Sequence, residues 1–324
     1  MKNDVLKALK HTTEYISGES LSKSLGVSRA AVWKAIKSLR TDGYIIDSVT
    51  NKGYLLQRSP DLLSELEIAE YLHTKTLGKR IISLSEVDST NRYLKKSALE
   101  GAEHGLAVIS EMQTDGKGRL QRNWQSNQGI GIYLSVLLRP YVPPSDIAAV
   151  TQLSGLAVCK AINGFADVNA KIKWPNDILI NGKKVCGILT ETSSQADMVD
   201  FIVIGIGINV NNEFFGDDLS EKATSLFLST GQKQNRAKLA ATILNKLEQM
   251  LANGFLLNDD SLLEYKSLCS TINQNVLAVC GNETISGKAV DINSRGELIL
   301  LQGKEMRCIS CGEINTFAIT KEYS

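Results

Sequence analysis

Leu21 and Leu25 lie four residues apart, and Val32, Ile36 and Leu39 recur at i, i+4 and i+7. Both spacings gather apolar side chains on one face of a helix. Between the two runs Gly26 interrupts, Val27 fills the turn, and Ser28 is a natural N-cap for the second helix. Gly43 stands where a glycine would end that helix. Two helices joined by a short glycine turn predict a helix-turn-helix. Two β-rich runs follow at residues 44–49 and 53–56, and the turn Thr50-Asn51-Lys52 between them reads as a wing with a lysine at its tip.

Arg58-Ser59-Pro60-Asp61 breaks this pattern and marks a boundary, followed by a helical connector to about Leu77. From Ile81 onward β-rich and helical runs alternate. Strands are expected at 107–110, 131–138, 171–174, 178–180, 187–191 and 201–210, and helices at 145–165 and 236–255. Such alternation predicts a mixed-sheet α+β body. Beyond it, short runs at 276–279, 284–291, 298–301, 306–309 and 313–318 are separated by the turn signals Gly281-Asn282, Ser294-Arg295-Gly296 and Gln302-Gly303. They predict a small, partly open barrel. The expected organisation is therefore three domains: 1–62, then 63–270 with 63–79 as connector, then 271–324.

Charge sharpens the picture of the first domain. The whole chain of 324 residues is nearly neutral, at +1. Residues 1–60 hold ten Lys/Arg and five Asp/Glu, a net of +5, which leaves 1 − 5 = −4 for the rest. A basic module on a neutral-to-acidic body fits nucleic-acid binding by the first domain alone. Ser28, Arg29, Ala30, Trp33, Lys34 and Lys37 fall on the outer face of the second helix. Small polar residues and an arginine near its start suit entry into the major groove, with Lys52 of the wing on phosphate or the minor groove.

No apolar stretch is long enough to cross a membrane, and charges interrupt the first ten residues, so no secretory signal is expected. Six scattered cysteines do not form a disulfide framework, and a cytoplasmic setting is expected. Cys308-Ile-Ser-Cys311 has no second pair of ligands nearby in sequence. It is read as two thiols on a strand and its turn, not as a metal site.

Four segments carry candidate chemistry. In Asp88-Ser89-Thr90-Asn91, hydroxyls, an amide and free N–H groups meet at a helix start, an arrangement able to hold a small polar ligand. "QTDGKGRLQRNW", from Gln113 to Trp124, puts Lys117, Arg119 and Arg122 on a loop with Gly116 and Gly118, with an indole at its end. Read alone it is either a phosphate loop or a solvated basic loop, and it lacks the Walker pattern. "KWPND" brings Lys173, Asn176 and Asp177 to a turn. The hairpin signal Asn181-Gly182 then leads to Lys184 and Gly187. In "IVIGIGIN", Gly205 and Gly207 interrupt an apolar strand, which costs stability unless something must come close. A lone GxG does not make a dinucleotide site.

These four segments, in this order behind a winged helix and before a small β domain, resemble the biotin protein ligase family, and in particular its bifunctional ligase/biotin operon repressors. The resemblance covers nearly the whole chain. It implies a class II synthetase-like central domain and an SH3-like C-terminal barrel. It also implies an ATP- and Mg²⁺-dependent biotin–[acetyl-CoA-carboxylase] ligase. Such an enzyme makes biotinyl-5′-AMP, then transfers biotin to a lysine of a biotin carboxyl carrier protein.

The resemblance further assigns roles. Biotin is expected on Ser89, Thr90, Asn91, Gln113, Lys117, Gly118, Arg119, Trp124, Lys184, Gly187, Gly205 and Gly207. The nucleotide is expected on Arg119, Arg122, Trp124, Asn176, Lys184 and Asn209. Chemistry falls to Lys184, Arg119, Lys173 and Asp177, the last orienting the acceptor lysine. Operator DNA and a homodimer are the implied partners, with the adenylate as corepressor. Two positions depart from the family pattern, which has arginine at Lys117 and glycine or serine at Gln121. A lysine keeps the charge but not the planar fork. The adenine partner is expected somewhere in residues 211–226. A repressor that senses ligand without ligase activity and a lipoate or octanoyl ligase are the competing readings; intact Lys184 and Arg119 disfavour the first, the winged helix the second.

Overall fold

The structure, a computed structural model, describes residues 1–195, 197–281 and 283–316. Its chain divides into two compact units, Met1–Leu62 and Leu63–Ser324.

The first unit holds α1 (Lys2–Lys10), α2 (Gly18–Leu25), α3 (Arg29–Thr41) and the hairpin β1 (Ile45–Val49) and β2 (Gly53–Arg58). Ser17 and Ser28 cap α2 and α3 by accepting from Ser20 N–H and Ala31 N–H, and Gly26 closes α2 at φ 65°. Leu21, Val32, Ile36 and Leu39 are buried as their spacing predicts. Helix α1 was not legible in the pattern. Only Val5, Leu6 and Leu9 of its nine residues are buried, too short a stripe among charges to stand out.

The second unit contains α4 (Glu65–Ala69), β3 (Ile81–Leu84), α5 (Thr90–Leu99), β4 (Ala107–Ser110), β5 (Gly131–Leu138), α6 (Val150–Ala166), β6 (Ala170–Lys173), β7 (Asp177–Ile180), β8 (Lys183–Gln195) and β9 (Met198–Asn209). It continues through α7 (Asp217–Ser220), α8 (Leu226–Thr230), α9 (Arg236–Leu251), α10 (Asp259–Leu268) and the strands β10 (Asn275–Cys280), β11 (Glu283–Ile292), β12 (Leu298–Gln302), β13 (Glu305–Ile309) and β14 (Glu313–Thr316). The expected connector helix shrinks to the five residues of α4. The helix expected from 145 starts at Val150, after a 3₁₀ turn at Pro144–Ile147. Residues 317–318 of the last expected strand and Asn282 of one expected turn lie outside the described residues.

Among the described residues the central sheet has the order β3-β4-β5-β9-β8-β7-β6. Alternation along its strands decides everything about the site. Even-numbered positions of β5 and β9, such as Ile132, Leu134, Ile204, Ile206 and Ile208, pack into the main core with α6 and α9. Odd-numbered positions face the other way. At one end these are Leu137, Phe201 and Val203, which pack under Leu94 and Ala98 of α5. Toward the other end the same face carries Tyr133, Ser135, Gly205 and Gly207. Ser135, Gly205 and Gly207 put no large side chain there, and Tyr133 directs its hydroxyl to the Asn127 carbonyl at 3.0 Å, so the face is left open beside α5.

The second sheet, ordered β13-β12-β11-β10-β14, is antiparallel throughout. It is tied to the central sheet by Trp174. The indole is 1% exposed. Its Nε1–H donates to the Gly296 carbonyl at 2.8 Å and its backbone N–H donates to Thr271 Oγ1 at 3.0 Å. Trp174 is thus a structural anchor within the KWPND turn, whose Trp174–Pro175 bond is cis.

Candidate active site

The open face of the central sheet becomes a cavity of about 380 Å³. All of Ser89, Thr90, Asn91, Gln113, Lys117, Gly118, Arg119, Arg122, Trp124, Lys173, Asn176, Asp177, Lys184, Gly187, Gly205, Gly207 and Asn209 line it. The four sequence segments, up to 120 residues apart, therefore meet in one place.

Three glycines make its floor. A Cβ on Gly207 would lie 2.7 Å from the Trp124 ring, and one on Gly187 would lie 3.1 Å from both Trp124 and the Lys184 Cε. A Cβ on Gly205 would collide with the Asn91 amide. The glycines of the apolar strands are there because side chains from α5 and the 113–124 loop occupy their space.

Lys184 reaches the cavity through a register shift. Asp177 pairs with Gly187 and Ile178 with Cys186, but Leu179 pairs with Lys184. One extra residue, Val185, sits in β8 and is fully buried. Such a bulge re-aims the side chains beyond it. It brings Lys184, at an even position, onto the same face as Gly187. There its Nζ lies 2.7 Å from Asp177 Oδ1 and 5.5 Å from the Trp124 ring centre. The backbone of Lys184 is held in turn by Lys222 and Thr224, whose carbonyl and N–H bond it at 2.8 and 2.9 Å.

The polar end of the cavity is a connected network. Ser89 caps α5. Gln113 Oε1 accepts from the Thr90 N–H at 2.9 Å and lies 3.0 Å from the Thr90 hydroxyl. Gln113 Nε2 donates to Ser126 Oγ at 3.0 Å. Asn91, buried, donates through Nδ2 to Glu191 at 2.8 Å. At the opposite end the loop cations are engaged. Lys117 Nζ lies 2.7 Å from Asp115 Oδ1 and donates to Asn123 Oδ1 at 3.0 Å. The Lys117 ammonium beside it, with help from Arg92, holds the Asp115 carboxyl below its usual range. Arg119 donates to Asn176 Oδ1 at 3.1 Å, and Asn176 Nδ2 is anchored to the Ile188 carbonyl at 2.9 Å. Arg122 pairs with Glu313 of β14 at 2.6 Å. The Trp124 indole N–H is buried with no hydrogen-bond partner among the described residues.

Six cations line the cavity (Lys117, Arg119, Arg122, Lys173, Lys184 and Lys222) against two carboxylates, Asp177 and Glu313. The wall is thus built to hold anions. Sequence reasoning missed Lys222, Glu313, and the aromatic pair Phe214 and Phe215. Phe214 is 83% exposed, an aromatic ring left in solvent at the cavity mouth. Two adjacent phenylalanines in a loop with Asn211, Asn212 and Gly216 were the available signal. Glu313 carried none, since it lies on a different sheet 191 positions from its partner.

In the first unit, Ser28, Arg29, Ala30, Trp33, Lys34, Lys37 and Lys52 are all exposed. Lys37 Nζ lies 5.4 Å from the Trp33 ring centre. Among the described residues Arg29, Lys34, Lys37 and Lys52 make no ion pair, so their charge is available to an anionic partner.

Comparison with known proteins agrees in every part of the chain. Residues 84–209 match the Biotin/lipoate A/B protein ligase family, residues 2–55 an HTH domain, and residues 271–315 the Biotin protein ligase C terminal domain. The chain is 39% identical over 307 residues to the bifunctional ligase/repressor BirA of Bacillus spizizenii, covering 93% of this chain and 94% of that protein. It is 37% identical over 321 residues to the bifunctional ligase/repressor BirA of Bacillus subtilis, covering 97% and 98%. Among solved structures, the biotin protein ligase of Aquifex aeolicus in complex with biotin and ATP superposes with a TM-score of 0.64 at 30% identity, covering 74% of this chain and 99% of that one.

Proposed function

Since the chain belongs to the family of bifunctional biotin ligases and repressors, we propose that its cavity joins biotin to ATP and passes the biotinyl group to a lysine of a biotin carboxyl carrier protein. The observation that carries this reading is the excess of four positive charges around a single cavity with a glycine floor. The first step sets a carboxylate against a triphosphate. A biotin carboxylate oxygen attacks the α-phosphorus, the bond from phosphorus to the β-phosphate bridge breaks, and pyrophosphate leaves. Cations fixed in advance offset the repulsion between the reactants and stabilise the charge that builds up on the phosphorus. Mg²⁺ enters with ATP as part of that substrate. The two carboxylates of the wall already face Lys184 and Arg122, so phosphate oxygens would hold it.

In the second step an acceptor lysine attacks the acyl carbon of biotinyl-5′-AMP and AMP leaves with the bonding electrons. Asp177 is suited to orient that amine. Lys117 and the 116–122 loop would exchange their internal contacts for the ligand. Phe214 and Phe215 are suited to stack on the adenine.

The winged unit would act as a repressor on operator DNA, with the adenylate as corepressor in a homodimer. Strand β8 supports the dimer. It pairs with β7 only through Lys183–Gly187. Among the described residues the strand ladder of its second half is with β9 alone, which leaves one side for a partner strand.

The test is incubation of the purified protein with ATP, Mg²⁺, biotin and a carrier domain, read by intact mass of the carrier. Gain of one biotinyl group is expected. No gain, with the same carrier labelled by a control ligase, would overturn the ligase reading and turn attention to lipoate or octanoate.

A further inference from the structure

We propose that Glu191, with Lys95 behind it, is a positioning residue for the ligand: it fixes the amide of Asn91 and so decides which way the buried hydroxyls carry their protons. The inference rests on the ligase reading above and deepens it. A continuous chain of polar contacts runs from the surface to the cavity. Lys95 Nζ lies 2.8 Å from Glu191 Oε1. Glu191 Oε2 accepts from Asn91 Nδ2 at 2.8 Å. Asn91 Oδ1 lies 2.6 Å from Ser135 Oγ, which lies 2.8 Å from Thr90 Oγ1. Thr90 Oγ1 lies 3.0 Å from Gln113 Oε1.

A carboxylate only accepts. Facing Glu191, Asn91 must therefore turn its NH₂ outward and its oxygen toward Ser135. Ser135 is then the donor in that contact, and its one proton is used. The other end of the chain is fixed independently. Ser126 donates to the Trp124 carbonyl at 3.2 Å and accepts Gln113 Nε2 at 3.0 Å. Gln113 must present its oxygen to Thr90, so the Thr90 proton is used as well. Between Ser135 Oγ and Thr90 Oγ1 there are then two sets of lone pairs and no proton. A donor from the ligand, such as the N–H of a cyclic urea at Thr90, would satisfy that shortage. Glu191, at 2.8 Å, is the shorter-range of the two acceptors that hold the amide this way, the other being the Leu189 carbonyl at 3.3 Å. With an amide at 191, Asn91 could flip, Ser135 could donate to Thr90, and one of the two Thr90 lone pairs offered to the ligand would be taken.

Steady-state pyrophosphate release by the full-length protein separates this from a structural role. In E191Q we expect the KM for biotin to rise about tenfold, the worth of one hydrogen bond left unmade. The KM for ATP and the melting temperature should stay close to wild type. E191D, which keeps an accepting carboxylate, should recover most of the loss. An unchanged biotin KM in E191Q would overturn the proposal. So would equal losses for biotin and ATP with a lowered melting temperature, or an E191D no better than E191Q. A wild-type protein that releases no pyrophosphate would instead sink the ligase reading, and this proposal with it.

Discussion

Among the described residues Lys184 makes one ion pair, 2.7 Å from Asp177, and both side chains keep some exposure. Its ammonium is therefore held in place without the cost of full burial. Removing it would expose incoming anions to an unopposed Asp177. For Lys184→Ala we expect adenylate formation to fall by about 10²- to 10³-fold, the usual effect of losing one preorganised charge partner. Circular dichroism should be unchanged. A loss below about tenfold would remove Lys184 from the chemistry. Residue identity was the most legible level: every one of the seventeen cavity positions expected from sequence lines the cavity. Less legible was the backbone of the basic loop. Leu120 and Gln121 both sit at positive φ, 53° and 58°. Each costs about 1–2 kcal/mol for a residue with a Cβ. The family resemblance puts glycine or serine at 121. This chain holds its open loop in a conformation that its glutamine resists.

The strands of the central sheet were legible because apolar residues repeat with period two and the turns carry glycine or asparagine. The bulge in β8 was not. Val185 reads as one more apolar residue in an apolar run, yet it alone determines that Lys184 faces Gly187 and not the core. The length of β8 was also underestimated. Its second half, ending in Thr192, Ser193, Ser194 and Gln195, is polar and looks like a loop. That polarity suits a free edge, where exposed apolar side chains would invite aggregation. In a twofold dimer the same strand meets its own copy. The double substitution Thr192→Lys and Ser194→Lys puts like charges on both sides of such a pairing. We expect the ligand-loaded dimer to weaken about tenfold in sedimentation equilibrium, from repulsion on the order of 1 kcal/mol. Carrier biotinylation at low protein concentration should be unaffected. A dimer of undiminished strength would rule out β8 as the interface.

At the scale of the molecule, two charge arrangements have separate consequences. The first is internal to the larger unit. Burial raises the Glu248 carboxyl, but N–H donors of Lys75, Thr76 and Leu77 and the Thr76 hydroxyl outweigh it and pull it down to about 2. A depressed carboxyl stabilises the fold above its unfolded pKa and loses that contribution as pH falls through the folded one. Glu248→Gln should therefore lower the melting temperature at pH 7, and the deficit should shrink between about pH 4.5 and pH 2. A deficit constant over that window would mean the carboxylate contributes shape and not charge. The second arrangement is the basic face of the first unit. Arg29, Lys34, Lys37 and Lys52 are exposed and, among the described residues, free of ion pairs. Each that contacts phosphate displaces a counterion, so log K for operator DNA should fall with log salt by close to one unit per contact. The variant Lys37→Ala with Lys52→Ala should flatten that slope by about two and leave biotinylation of the carrier untouched. An unchanged slope would take these two lysines off the DNA.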